Sequence, residues 1–353
     1  MVHYPYLEEW WADNMVNNIF EMALAKAQAT GGSEVLPANY IYIAKNGNDS
    51  TGDGSANNPY LTVQKGINSA STGTTLFIFP GTYAENLTFK AGVNLTSPAI
   101  LSTYITGNHT ADFSGTVIIQ NIVLNSSSNN TLLFSGSGNK NLQFHNSSIN
   151  ATSGHAINWT NNNSSSKINF SNCTVNVLTS GSFAKAIYST VGASGGIIAN
   201  TTTFKINNAN NICLDLGGAV TFTHTADTIT GQVVLNNTAS ATIGNVSMTT
   251  TSVPCLVTNS SGTVTLLNVI ATSGGTYAFD GAVGSIIVFM GILYGGIAAG
   301  ATHITAIPLL MAPIRIRANT LYSAINPGII QFDGNDLYID AGTKRYKLNK
   351  TEV

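Results

Sequence analysis

The stretch that decides the fold covers residues 116–294. One short phrase recurs there: TVIIQNIVLN at 116–125, NLQFHNSSIN at 141–150, KINFSNCTVN at 167–176, GIIANTTTFK at 196–205, VTFTHTADTIT at 220–230, ATIGNVSMTT at 241–250, VTLLNVIATS at 264–273 and SIIVFMGILY at 285–294. Aligned, the phrases place Asn121, Asn146, Asn172, Asn200, Ala226, Asn245, Asn268 and Met290 in one column, with neighbours 19 to 28 residues apart. A period of that length denotes stacked units, each too small to bury a core alone.

Alternation gives the inside of each unit. Val117 and Ile119, Leu142 and Phe144, Ile168 and Phe170, Val264 and Leu266, and Ile286 and Val288 stand four and two residues before the column, with polar or small residues mostly between them. That is a strand with one buried face. Beyond the column the phase slips by one, and Leu124, Ile149, Val175, Ile229, Met248 and Leu293 become the apolar positions. The slip marks a corner. Asn suits a corner because it tolerates the left-handed backbone region, and its amide can bond to the same residue in the units above and below. The column is therefore expected to form an asparagine ladder of Asn121, Asn146, Asn172, Asn200, Asn245 and Asn268 inside one corner.

A further strand follows each corner: TLLFSG, HAINWT, KAIYST, ICLDLG, QVVLNN, CLVTN and YAFDG. Three short strands per repeat, about 24 residues per coil and no helical periodicity describe an all-β, single-stranded parallel β-helix whose coils stack about 4.8 Å apart. Ankyrin and tetratricopeptide repeats need helices, and the leucine spacing of a leucine-rich repeat does not occur.

Composition agrees with this reading. The chain has 353 residues, 34 of them Gly, with 43 % hydrophobic and only 8 % charged. Such a balance suits many tight turns and few solvated helices. A net charge of -2, with no basic cluster in the repeats, leaves no footprint for nucleic acid. Cys173, Cys213 and Cys255 read as small buried apolar residues. Cys213 and Cys255 lie two coils apart, too far for a disulfide. Neither the histidines nor the cysteines have metal-ligand spacing, and no cofactor is implied. The opening MVHYPYLEEWWADN lacks the basic start and apolar run of a signal peptide. The apolar run IIVFMGILYGGIAAGA keeps the repeat's phase and is broken by glycines, so it is expected to form coil strands rather than a membrane span.

Residues 1–36 carry an amphipathic helix, with Leu7, Trp10, Trp11, Met15, Ile19, Phe20, Met22 and Leu24 at three- and four-residue steps, stopped by Gly31 and Gly32. It is expected either to cap the solenoid or to attach the chain to a particle. The β-helix is expected over residues 37–300, with a capping region at 40–97. There Gly47, Asn48, Asp49, Gly54, Ser55, Pro59, Tyr60, Gln64, Ile67, Pro80, Gly81, Thr82, Tyr83 and Glu85 form the pattern G-N-D, G-S, N-P-Y, T-V-Q-K-G-I, P-G-T-Y-x-E-N. This pattern resembles the opening of the pectin-lyase-like right-handed parallel β-helix proteins, in which a strand, a loop and a short helix begin the solenoid. The resemblance implies a right-handed coil and a helix over 61–70. The oxygen-rich loop 46–54 lacks the terminal acid of an EF-hand and reads as a turn.

A small β module is expected over residues 301–353, with strands at 314–317, 328–332 and 337–339. Its string P-G-I-I-Q-F-D-G-N-D-L-Y-I, followed by Thr343, Lys344 and Arg345, resembles short C-terminal modules of viral and prophage tail-fibre proteins, which close or trimerise a fibre. Arg315, Arg317, Lys344 and Arg345 lie near Asp333, Asp336 and Asp340, charges that can pair between chains.

Enzymes on this fold set acids, Arg or Lys on one face of neighbouring coils, and glycoside hydrolysis needs two carboxyl groups about 5 to 10 Å apart. Between Asn86 and Leu310 the acids are Asp112, Asp215, Asp227 and Asp280, each at a different offset from the Asn column, and no Arg occurs. Lys90, Lys140, Lys167, Lys185 and Lys205 form no lyase-like group with them. No catalytic residue is therefore assigned. Trp159, Tyr188 and Asp215 are the candidate glycan contacts, by stacking and hydrogen bonding. The expectation is a virion protein of tail spike or fibre type: a rigid shaft attached through its N-terminal helix to other virion proteins, trimeric, with a surface glycan as ligand. A polysaccharide-degrading spike with an intersubunit site and a cell-surface adhesin are the alternatives.

Overall fold

The computed structural model describes residues 39–281 except 180 and 182, together with residues 286–298, 303–306, 330–332, 337–341 and 344–348. The chain divides into two units, Met1–Tyr40 and Ile41–Val353. The expected N-terminal amphipathic helix and the strand at 314–317 lie outside the described residues.

Within the second unit the strands wind in parallel coils of three, so that three sheets run along one axis. In the first sheet Gly115–Gln120 pairs with Lys140–His145, which pairs with the first half of Lys167–Val177. In the second, Ile122–Ser126 pairs with Ser148–Ala151, which pairs with the second half of Lys167–Val177. In the third, Leu132–Phe134 pairs with Ile157–Trp159, and that strand with Ile187–Ser189. The apolar run at 286–298 continues the stack as strand Ile286–Ala298, parallel to Thr263–Gly281. Among the described residues no helix is long and apolar enough to cross a membrane.

Alternation turns one side of every strand inward, and the register then stacks like on like. Ile119, Phe144, Phe170, Ala199, His224, Ile243 and Leu266 are successive partners in the first sheet, and all are buried. Phe144 lies parallel on Phe170 at 5.5 Å, while Phe204, arriving from the second sheet, meets Phe170 and Phe222 edge-on. Offset and edge-to-face rings are the arrangements their quadrupoles favour.

The corner between the first and second sheets is a single left-handed residue: Asn121, Asn146, Asn172, Thr201, Ala226, Asn245 and Asn268 all have φ between 46° and 61°. Asn200 is not in this column. It precedes the corner, pairs in register with Ser171 and Thr225, and its Oδ1 accepts from Thr225 Oγ1 at 2.7 Å. The two residues are confused in sequence because they are adjacent and only Asn200 has the column's residue type, whereas the register with the coils above and below puts Thr201 at the corner. A second correction concerns direction. The corner side chains point outward, since a left-handed residue within a strand swings its Cβ away from the interior. Asn172, Asn245 and Asn268 are exposed, and Asn121 and Asn146 are half-buried. Amide bonds nonetheless link them along the outer edge: Asn146 Nδ2 donates to Asn121 Oδ1 at 3.4 Å, Asn172 to Asn146 at 2.8 Å and Asn268 to Asn245 at 2.8 Å. Thr201 and Ala226 interrupt the row.

The next residue, inward and buried in most coils, is Asp227 in one of them. Its φ of 115° turns the carboxylate out to an exposed position. Strained backbone there avoids the larger cost of burying a charge.

Helix α1, Val63–Ser69, covers the start of the stack. Val63, Gly66 and Ile67 face inward, and a Cβ at Gly66 would strike Ile43 and Leu76, so only glycine lets the helix sit this close. Residues of the G-N-D and Y-x-E-N pattern hold it in place. Glu85 accepts from the Val63 and Gln64 amides at 2.9 and 2.8 Å, and Asp49 from the Leu61 and Thr62 amides and the Thr62 hydroxyl. Both carboxylates thus meet donors at the positive end of the helix.

Towards the C-terminus, Ile330–Phe332, Leu337–Ala341 and Lys344–Leu348 form an antiparallel three-stranded sheet. The last strand was not read from the sequence. Asp340 and Arg345 stand opposite one another in register on the sheet's last two strands.

Candidate functional site

In the third sheet, the middle residue of each short strand points outward. Asn158, Tyr188 and Asp215 hold that position on three successive coils, after Leu133 and before Val234, Val257 and Asp280. The coil between Asn172 and Thr201 is among the longest. Its loop after Val177 brings Phe183 and Lys185 onto the same face.

These side chains lock together. Phe183, 71 % exposed, lies on His155 with centroids 5.0 Å apart, and His155 lies on Tyr188 at 4.7 Å, both pairs nearly parallel. The three rings make a file. His155 is held in the middle by its Nδ1, which accepts from the Lys185 amide at 3.1 Å, and by its own amide, which donates to Asn130 Oδ1 at 2.9 Å. Beside the file, Asp215 Oδ1 accepts from Asn236 Nδ2 at 3.0 Å, and Asn236 Oδ1 accepts from Asn259 Nδ2 at 3.1 Å. Buried Lys185 donates from Nζ to Phe183 O at 3.1 Å. Asn158 Oδ1 is buried without a hydrogen-bond partner.

Burial and mutual charge set the titration of the group. Burial raises the Asp215 carboxyl above the usual range, opposed by the Lys185 ammonium and the Asn236 amide. It lowers the Lys185 ammonium, opposed by Asp215. His155 is pushed down to about 4, by burial first and by the Lys185 charge second. The imidazole is therefore neutral at pH 7. The arrangement offers an apolar ring surface flanked by a carboxylate and two amides, the combination that binds a sugar's C–H face and its hydroxyls together.

No family model matches the chain, and no curated protein matches it in sequence. Among solved structures, pectate lyase Pel9A aligns with 13 % identity and a TM-score of 0.53, covering 76 % of this chain and 79 % of that one. The fold is a parallel β-helix, as in pectate lyase. Pectin methylesterase PemA from Erwinia chrysanthemi aligns at a TM-score of 0.35 with 14 % identity, over 75 % of this chain and 80 % of its own. At such identities the likeness concerns architecture alone.

On this β-helix the three candidate contacts separate. Trp159 is fully buried, packs on Phe134 at 4.6 Å, and donates from Nε1 to the carbonyls of Asn161 and Ser194. It is a core residue, because it shares the inward phase of Ile157. Tyr188 and Asp215 stand side by side on the outer face. The remaining acids stay apart. Asp112 forms an ion pair with buried Lys140 at 3.5 Å, Asp227 lies at the opposite corner, and Asp280 is three coils beyond Asp215 in the same column. Asp49 and Asp53, in the oxygen-rich loop, accept from backbone amides that shape the turn. Sequence reasoning missed Phe183, His155, Lys185 and Asn236. The alternation of KAIYS against ICLDL does place Tyr188 and Asp215 in phase, but the reach of a loop residue such as Phe183 has no periodic signal.

Proposed function

We propose that the protein is a glycan-binding β-helical shaft of tail spike or tail fibre type. The observation carrying this reading is the ring file of Phe183, His155 and Tyr188, with Phe183 exposed at its end, beside Asp215 and Asn236 on the outer face of a weakly charged solenoid. A rigid rod with a lateral sugar platform suits attachment to a surface polysaccharide. The fold's occurrence in pectate lyase, an enzyme named for a polysaccharide, supports the same class of ligand. Attachment of the shaft to a particle through residues 1–36, and closure of a trimer through residues 301–353, complete the proposal. Light scattering on the intact protein checks the trimer, and a mass of one chain at all concentrations would remove it.

The binding itself is tested by retention of the purified protein on the host's surface polysaccharide. Retention should be lost in Tyr188→Ala and Phe183→Ala while their melting temperatures stay near that of the parent. An unbound parent protein would end this reading.

A second reading is favoured by one observation. The lowered Lys185 ammonium and the raised Asp215 carboxyl are pushed towards each other's range, as in acid–base pairs at catalytic sites. Cleavage of the bound polysaccharide would release new reducing ends, and Lys185→Met would abolish their release. Binding without cleavage leaves the first reading alone.

A further inference from the structure

We propose that this site takes a neutral polysaccharide laid along the solenoid axis, and that it discriminates against polyuronates. The inference rests on the polysaccharide reading above and specifies its ligand. Three features of the face carry it.

The first is the ring file. Phe183 presents an open ring face, backed by His155 and Tyr188, and such a surface favours the C–H side of a pyranose. The second is the relay of polar groups. Asp215, Asn236 and Asn259 stand on three consecutive coils and are bonded in sequence. Coils repeat at about 4.8 Å, close to the advance of one sugar ring in an extended chain, so each ring meets one acceptor or amide. Hydroxyl groups both donate and accept, and they satisfy such a row without placing a charge on it.

The third feature is where the charges lie. Asp215 is half-buried on the outer face, and Asp280 repeats the carboxylate three coils further along the same column. The neighbouring cation, Lys185, is buried and its Nζ donates back to Phe183 O, on the protein side of the file. A polyuronate carries a carboxylate on every ring and would bring like charge against Asp215 in a partly desolvated setting, where the repulsion is weakly screened. A neutral chain meets the same carboxylate as a hydrogen-bond acceptor.

Binding of the full chain to an array of immobilised neutral and uronate-containing polysaccharides tests this, with Thr265→Ala on the first sheet as a control. The expected result is signal on neutral glycans only, weakened about tenfold by Tyr188→Ala or Phe183→Ala and unchanged in the control. Asp215→Asn should weaken neutral binding while melting as the parent does. Signal confined to polyuronates overturns the inference and leaves the glycan-binding reading standing, whereas neutral signal that survives both Tyr188→Ala and Phe183→Ala overturns this inference and the ring-file site of that reading together. No signal on any polysaccharide overturns both.

Discussion

Asn172 has a left-handed backbone with φ of 55° and an amide bonded to Asn146 across the coil boundary. A β-branched or Leu side chain at such a φ loses about 1–2 kcal/mol relative to Asn or Gly. The exposed amide bond adds only about 0.5–1 kcal/mol, because water replaces it readily. Asn172→Leu should therefore lower unfolding free energy by about 2 kcal/mol, and Asn172→Gly should stay close to the parent, both read from denaturant midpoints. Equal losses in the two variants would show that the amide, not the backbone, sets the cost. The outward direction follows from the same geometry, and it makes the loss smaller than for a buried ladder. The sequence showed that corners exist and that Asn prefers them. It did not show which of Asn200 and Thr201 is the corner, since adjacent residues in one coil differ only by a register that the coils above and below decide.

Helix α1 is seven residues long and has no acid in its own first turn. Glu85, two strands further on, supplies the carboxylate by accepting from the Val63 and Gln64 amides, so a long-range contact adds to the local cap in which Thr62 Oγ1 accepts from the Lys65 amide at 3.3 Å. Glu85→Ala would leave two partly buried amides at the helix start unpaired, at a cost of about 1–3 kcal/mol. The expected outcome is a lower denaturant midpoint for the whole chain. A biphasic transition would instead mean that the cap melts separately and that the solenoid does not depend on it. The pattern containing Asp49 and Glu85 was legible as a resemblance before its physical use was visible. Its partners are separated by 12 to 22 residues, and only the fold brings them together. The loop bearing Phe183 lies at the other extreme. It has no period and no motif, and its contact with His155 depends on a neighbouring coil.

Among the described residues the shaft's interior is largely apolar, and its buried histidines titrate: His155, in the ring file, and two more. His109 and His224 lie in different coils, both buried, each with an Nε2 that has no hydrogen-bond partner. Burial is the main cause that holds each imidazole down to about 4, against 6.5 for the free group. The unfolded chain therefore binds protons more readily than the folded one between these values. Stability is fully present above about pH 6.5 and falls as pH drops towards 4, by an upper limit of about 3 kcal/mol for each histidine. Carboxylates held below their usual range, Asp49 and Asp53, add losses only at lower pH, while Asp215, raised by burial, gains stability as pH falls and offsets part of the histidine loss. Denaturant unfolding at steps between pH 7.5 and about 4.5 should show a steadily falling midpoint. His224→Phe should flatten that slope by roughly a third, since Phe fills the same inward position between Ala199 and Ile243 without a titrating group while His109 and His155 still titrate. A parent midpoint constant across the window would mean that the solenoid opens locally to let these rings take up protons, and that its coils are less tightly stacked than their register indicates.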